Sequence, residues 1–233
     1  MTPDLQGIDW QAVSTELDVC GACVLPRLLD AETCAAVTAL YPQETSFRSR
    51  VVMARHGYGR GEYQYFSYPL PATIATLRAQ LYAPLAPLAN AWYARMDLAP
   101  RFPAHHADFL ARCHAAGQQR ATPLLLRYGE GDYNHLHQDL YGEHCFPLQV
   151  AVLLSAPDQD FTGGEFVLTE QRPRQQSRVE VIPLGQGDAV VFAVNQRPQC
   201  GTRGDYRVTM RHGVSRLRSG QRMTLGIIFH DAL

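Results

Sequence analysis

The sequence predicts a mainly β domain buttressed by helices, its strands closing as a sandwich or barrel of which a jelly roll is one form. Three observations carry that reading. The hydrophobic period changes from helical to alternating near Ala121, short β runs separated by turn residues follow it, and no linker is long enough to divide the chain. At 233 residues the chain has the size of one ordinary domain.

Residues 1–117 are expected to form helical support and a lid over the substrate region. Asp30 can cap a helix running to Tyr41, with Cys34, Val37 and Tyr41 on one face and Pro42 to stop it. From Pro71, Leu77, Leu81, Leu85, Leu88 and Trp92 recur at three- or four-residue spacing, and Pro84 and Pro87 are expected to break that stretch into two helices. A third helix is predicted from Pro103 towards Gly117, with Phe109, Leu110 and Cys113 inward. The core, residues 122–231, holds β runs at Pro123–Tyr128, Leu148–Ser155, Glu165–Thr169, Arg178–Ile182, Asp188–Val194, Tyr206–His212 and Arg222–His230. Gly163-Gly164, Pro183 to Gly187 and Ser219-Gly220 punctuate them.

Composition excludes several chemistries. The net charge of −1 gives no global positive field for nucleic acid or an acidic membrane. All 21 basic residues are arginine, so lysine Schiff-base chemistry, pyridoxal phosphate catalysis and the Walker phosphate loop are ruled out. The opening MTPDLQGIDW has neither a basic end nor an apolar run, and no window reaches the roughly 18 apolar residues of a membrane span. The expectation is a cytoplasmic protein with its six cysteines reduced. Cys20 and Cys23 have the spacing of a redox or zinc half-site, but no second pair follows; packing beside a strand is expected.

The chemistry gathers late in the chain. His137-Gln138-Asp139 places an imidazole and a carboxylate two residues apart, on one face of an extended strand. His212, after the run Tyr206–Arg211, is the best third donor for a two-histidine, one-carboxylate face, a set that suits iron(II) and leaves positions open. Ten residues on, Arg222 and Thr224 share a strand face, where a guanidinium and a hydroxyl can grip a carboxylate. A rival register exists. His135 and His137, with Gly129 before them, fit the opening of a cupin metal signature, but the expected glutamate is displaced to Glu143 and Asp188 stands where a later histidine belongs. A cupin-like binding module without turnover is the competing class, and Arg222 argues against it because such a module needs no dicarboxylate clamp. His105, His106, His114 and His144 have no partner at ligand spacing and are expected to be solvated; His230 and Asp231 lie too near the end to place.

Residues 126–139, LRYGEGDYNHLHQD, resemble the strand and turn leading into the iron site of prolyl-4-hydroxylase-type and alkylation-repair dioxygenases. Thr162-Gly163-Gly164-Glu165, the strand from Gly187 to Phe192, and the segment from His212 to Arg222 are similar to further motifs of that superfamily, so the likeness spans about residues 122–231. It implies a double-stranded β-helix with helices packed on it. It also implies iron(II) on His137, Asp139 and His212, and 2-oxoglutarate on Arg222 and Thr224 with Tyr128 as a third contact. Dioxygen would be consumed, and succinate and carbon dioxide released. The insertion from Asn195 to Asp205, with Arg197, Cys200 and Arg203, is longer than the plainest pattern.

In the first half, Phe47 to Met53, Gly59 to Tyr63 and Tyr68 to Pro71 look like a bacterial subgroup catalogued as acting oxidatively on alkylated nucleic acid. Arg48, Arg50, Arg55 and Arg60 fall together with His56 and Tyr58, and seven arginines crowd residues 197–222 against the single acid Asp205. Such mixing could hold phosphate and stack an extruded base, with Arg55, Tyr58, Arg60 and Tyr63 as the candidate substrate contacts. The competing explanation is that arginine dominates because lysine is absent. Single-stranded or damaged nucleic acid is therefore the first substrate expectation, and a protein or amino-acid side chain the second.

Overall fold

The computed structural model describes residue 5 and residues 7–99, 101–202 and 204–233, so Arg203 of the predicted insertion lies outside the described residues. The first half holds α1 (Trp10–Cys20), β1 (Ala22–Leu25), α2 (Ala31–Thr38), β2 (Phe47–Val52), β3 (Gly59–Arg60), β4 (Glu62–Phe66), α3 (Ala72–Arg95) and α4 (His106–Ala115). The second half is strand throughout: β5 (Leu124–Tyr128), β6 (Tyr133–His137), β7 (Leu148–Leu153), β8 (Phe161–Gly163), β9 (Phe166–Gln171) and β10 (Arg178–Ile182). It continues through β11 (Ala189–Ala193), β12 (Gln196–Gly201), β13 (Gly204–Val214), β14 (Leu217–Gly220) and β15 (Arg222–Ile227).

These strands form a jelly roll. One antiparallel sheet runs in the order β1-β11-β7-β15-β5-β4-β2, and the facing one in the order β10-β9-β13-β6-β3 with β12 folded back on β13. Central strands β7, β11 and β15 are buried along their whole length; β7 and β11 accordingly read as nearly continuous apolar runs, while β15 carries Arg222 and Thr224. β1 to β4 arise from the half whose pattern is largely helical. They extend the sheets at their edges, β4 against β5 and β3 against β6, and so bring first-half residues to the mouth of the barrel.

The helices pack as buttresses. Asp30 caps α2 by accepting from Thr33 N at 2.7 Å, and the helix stops at Thr38, short of Tyr41. The predicted break at Pro84 and Pro87 does not occur: α3 is one helix of 24 residues. Each interior proline costs about 3 kcal/mol, but Leu77, Leu81, Tyr82, Leu85 and Ala89 are fully buried, and each large apolar side chain returns about 1.5–3 kcal/mol. Gln80 and Ala83, whose carbonyls lose their donors, are exposed to water. Tyr82 packs its ring on Phe109, Phe146 and Phe229, joining α3 and α4 to the end of the second half.

Several polar residues are more deeply placed than expected. His106 is buried, with its Nε2 2.7 Å from Phe229 O, because a neutral imidazole can serve that carbonyl. His114 Nε2 lies 2.8 Å from Asp231 Oδ2, and Asp231 is itself buried against Arg78 at 2.8 Å. His105 is exposed, as expected. Arg197 of the insertion is fully buried on Glu170 and on the carbonyls of Asp18 and Val19, so it braces α1 against the barrel. Cys20 closes α1 and Cys23 lies in β1; all six cysteines are free. Among the described residues no helix is long and apolar enough to cross a membrane.

Candidate active site

The register of two strands creates the site. β6 and β13 are antiparallel, and His137 is paired with His212 across the ladder. Their rings lie 4.2 Å apart between centroids. Asp139 follows two residues after β6 ends, and its carboxylate enters the gap, with Oδ1 3.6 Å from His137 Nε2 and Oδ2 3.4 Å from His212 Nε2. One ligand atom from each of the three lies within 4.8 Å of the others. Asp139 and His212 sit in the protonation states that a metal requires. Burial pushes the Asp139 carboxyl up, but the bond and charge of His212, the charge of His137 and the Tyr141 hydroxyl hold it well below the usual range. Burial and the neighbouring His137 push His212 down, so its imidazole is neutral at physiological pH. His137 Nδ1 sits 2.8 Å from His135 O, which leaves Nε2 with the free lone pair.

The second half of the site is a buried cation. Arg222 opens β15, faces Tyr128 across the ladder and is 2% exposed. Its Nη1 donates to Thr224 Oγ1 at 2.6 Å, and its Nε has no partner among the described residues. Arg78 and Arg197 are equally buried but pair with Asp231 and Glu170; no described carboxylate reaches Arg222 within 4.0 Å. Burial brings its guanidinium down to about 10, still charged at neutral pH. An unpaired buried charge costs several kcal/mol, so this guanidinium is built to meet an anion. Tyr128 is also buried, its hydroxyl 3.4 Å from Asn134 Nδ2. The Gly163-Gly164 turn permits this arrangement: Gly164 has φ +65°, and a Cβ there would lie 2.2 Å from Leu217 Cδ1 and 3.1 Å from Arg222 Cδ.

One cavity of about 400 Å³ joins the two parts, lined by His137, Asp139, His212, Tyr128, Arg222 and Thr224 together. Its wall includes Tyr58, Tyr63, Tyr65, Tyr141, Phe166 and Phe192. Of the predicted substrate contacts, Tyr58 and Tyr63 line this cavity. Arg55 ends a short turn on the exposed surface, and Arg60 is exposed 3.6 Å from Asp132, so neither is among the lining residues. The rival cupin register is not assembled. His135 is exposed and outside the three-residue cluster, Glu143 is exposed, and Asp188 accepts from Arg27 N and Gly185 N in a turn. Tyr65, Tyr141 and Gln149 of this cavity escaped sequence reasoning. Tyr141 stands two residues beyond Asp139 but in the irregular segment after β6, where strand spacing no longer applies; Gln149 is the one polar residue in the run Leu148–Leu153 and is 5% exposed, its Oε1 without a partner among the described residues.

Residues 61–232 match the model of the Oxygenase-NA family, described as oxygenases catalysing oxidative methylation of damaged DNA. The chain belongs to that family. Members of Oxygenase-NA are oxygenases, and this chain is therefore an oxidoreductase. It is 50% identical over 167 residues, 72% of each chain, to the uncharacterized proteins Rv2227 and MT2286 of two Mycobacterium tuberculosis strains. In fold it is similar to a Pseudomonas putida prolyl-4-hydroxylase (16% identity, TM-score 0.54, covering 96% of this chain and 100% of that one). A 2OG-Fe(II) oxygenase-family oxidoreductase of Burkholderia pseudomallei is similar at 16% identity and TM-score 0.54, covering 97% and 93%. The epimerase SnoN from nogalamycin biosynthesis is similar at 14% identity and TM-score 0.57, covering 94% and 82%.

Proposed function

We propose that this oxygenase uses iron(II), 2-oxoglutarate and dioxygen to oxidise an alkylated base in nucleic acid, releasing succinate and carbon dioxide. The observation that carries the reading is the shared cavity: a two-imidazole and carboxylate donor set at one place, and a buried guanidinium without a described carboxylate partner at another. His137, Asp139 and His212 would hold the metal, and the open positions of such a face suit dioxygen and a chelating co-substrate. Arg222 and Thr224 would take the far carboxylate of 2-oxoglutarate, with Tyr128 beside them. The metal and dioxygen would supply the oxidising power; the chain supplies orientation and a cavity with aromatic walls.

Nucleic acid is supported by the family's description and by the rim. His56 and Tyr58 stack at 5.4 Å on the exposed surface, beside Arg55 and Arg60. An aromatic pair next to cations suits an unpaired strand, and a net charge of −1 leaves attraction to these local groups. The test is succinate release with methylated single-stranded DNA, with the unmethylated strand and with a proline-rich peptide. Release driven by the methylated strand, weakening as salt rises, is expected. Release driven by the peptide and indifferent to the methylated strand would overturn the nucleic-acid reading and favour a side-chain hydroxylase.

A further inference from the structure

Two of the three metal donors are fixed by the sheet, and the third is not. His137 ends β6 and His212 lies within β13, paired to each other by ladder register. Asp139 lies in the irregular segment between β6 and β7, where no ladder bond sets the direction of its side chain. Strand alternation, which places residues two apart on one face, ends at His137, two residues before Asp139.

The carboxylate is tethered in another way. Tyr141 donates its hydroxyl proton to Asp139 Oδ1 at 2.6 Å. That spends the only proton on the phenol, and its oxygen then accepts from Tyr65 Oη at 3.0 Å. Tyr65 is buried, belongs to β4 and is paired with Leu124 in the sheet opposite the metal-bearing histidines. Its ring meets Tyr141 edge-on at 89° and carries the Arg48 guanidinium 4.5 Å from its centroid. A loop carboxylate is thereby tied to a strand of the other sheet through two directed hydrogen bonds.

The loop is also pinned on either side of Tyr141. Gln138 Nε2 donates to Asn195 Oδ1 and to Met210 O, each at 2.8 Å. Gln118 accepts from His144 N at 2.8 Å and donates back to His144 O at 3.1 Å. The Tyr141 bond to Oδ1 then restricts rotation of the Asp139 carboxylate.

We infer that Tyr141, held in turn by Tyr65, is the positioning residue of the metal centre, turning Asp139 Oδ1 to the phenol and leaving Oδ2 for the metal. This rests on the metal reading above. Hydrogen bonds that orient a ligating carboxylate typically change metal affinity by about 10- to 100-fold when removed. Tyr141→Phe keeps the ring and removes only the tether; Tyr65→Phe keeps the tether and removes its support.

The test is anaerobic titration of the full chain with cobalt(II), reading both affinity and the visible spectrum, for the wild type, Asp139→Ala, Tyr141→Phe and Tyr65→Phe. The wild type is expected to bind one cobalt and Asp139→Ala to lose it. Tyr141→Phe should bind about 10- to 100-fold more weakly with an altered spectrum, and Tyr65→Phe should fall between it and the wild type. Tyr141→Phe with wild-type affinity and spectrum, while Asp139→Ala binds nothing, would overturn the positioning role and leave the metal site standing. A wild-type chain that binds no cobalt would overturn the site itself. Should Tyr141→Phe fail to fold, wild-type affinity and spectrum in Tyr65→Phe would by itself refute the relay.

Discussion

His137 and His212 face each other across one rung of the β6–β13 ladder, and a bulge between His212 and Val214 follows at once. Ladder register decides which face a strand residue occupies, so a slip of one residue would carry His212 out of the cavity. Gly213 sits in that bulge because the backbone of β6 comes so close: a Cβ there would lie 2.7 Å from Asn134 O.

Gly213→Ala should therefore push β13 away from β6 at His212 and weaken metal binding by roughly tenfold or more while the chain still folds. Calorimetric metal titration checks this. Unchanged affinity would mean that the two histidines are held by something other than this close approach.

Arg222→Ala removes a charge-assisted contact to the co-substrate, a contact class worth about 1.5–3 kcal/mol. The 2-oxoglutarate concentration needed for half-saturation should rise on the order of 100-fold, with metal affinity little changed. Succinate release measured against 2-oxoglutarate reads it, and an unaltered half-saturation point removes Arg222 from the site.

Stability should depend on pH through two buried histidines. Burial, and secondarily the charge of Arg78, bring both His106 and His230 down to about 4 from 6.5. The unfolded chain binds more protons between those values, so this stability is whole above about pH 6.5, is lost as pH falls through the window, and levels off near pH 4. Each histidine contributes on the order of 3 kcal/mol across it. Denaturant unfolding at pH 7 and pH 5 measures the loss, and His106→Leu should reduce the slope by about one proton; an unreduced slope contradicts the assignment.

Arg78 supplies a stability prediction away from the chemistry. Its guanidinium is buried against Asp231 at 2.8 Å and also donates to the carbonyls of Ile228 and His230. Arg78→Ala leaves Asp231 buried and should cost about 3–5 kcal/mol, lowering Tm by roughly 10 °C. Arg60→Ala, which removes an exposed pair 3.6 Å long, should cost less than about 1 kcal/mol. Equal losses would show that burial does not set the worth of these pairs.

The parts legible in the sequence were those fixed by local pattern. The apolar runs of β7 and β11 announce buried strands, and Asp30 announces a helix start. His137, Asp139 and His212 could be named because short-range spacing and chain order mark them. β2 and β4 were hidden because arginines, glutamate and tyrosines break their apolar alternation; β4 is held by pairing with distant β5, and β2 by pairing with β4. The continuity of α3 across Pro84 and Pro87 depends on tertiary burial that outweighs a local rule. Tyr141 was hidden because it lies in the irregular segment after β6 and its partner Tyr65 is 76 residues away.

The most direct measurement is an anaerobic titration of the full chain with iron(II) followed by 2-oxoglutarate, watching for the weak visible charge-transfer band of the metal–co-substrate complex. The band should appear for the wild type, vanish in Asp139→Ala and require much more 2-oxoglutarate in Arg222→Ala. Absence of the band in a folded wild-type chain, with other divalent metals still bound, would contradict the assignment of this cavity to iron and 2-oxoglutarate.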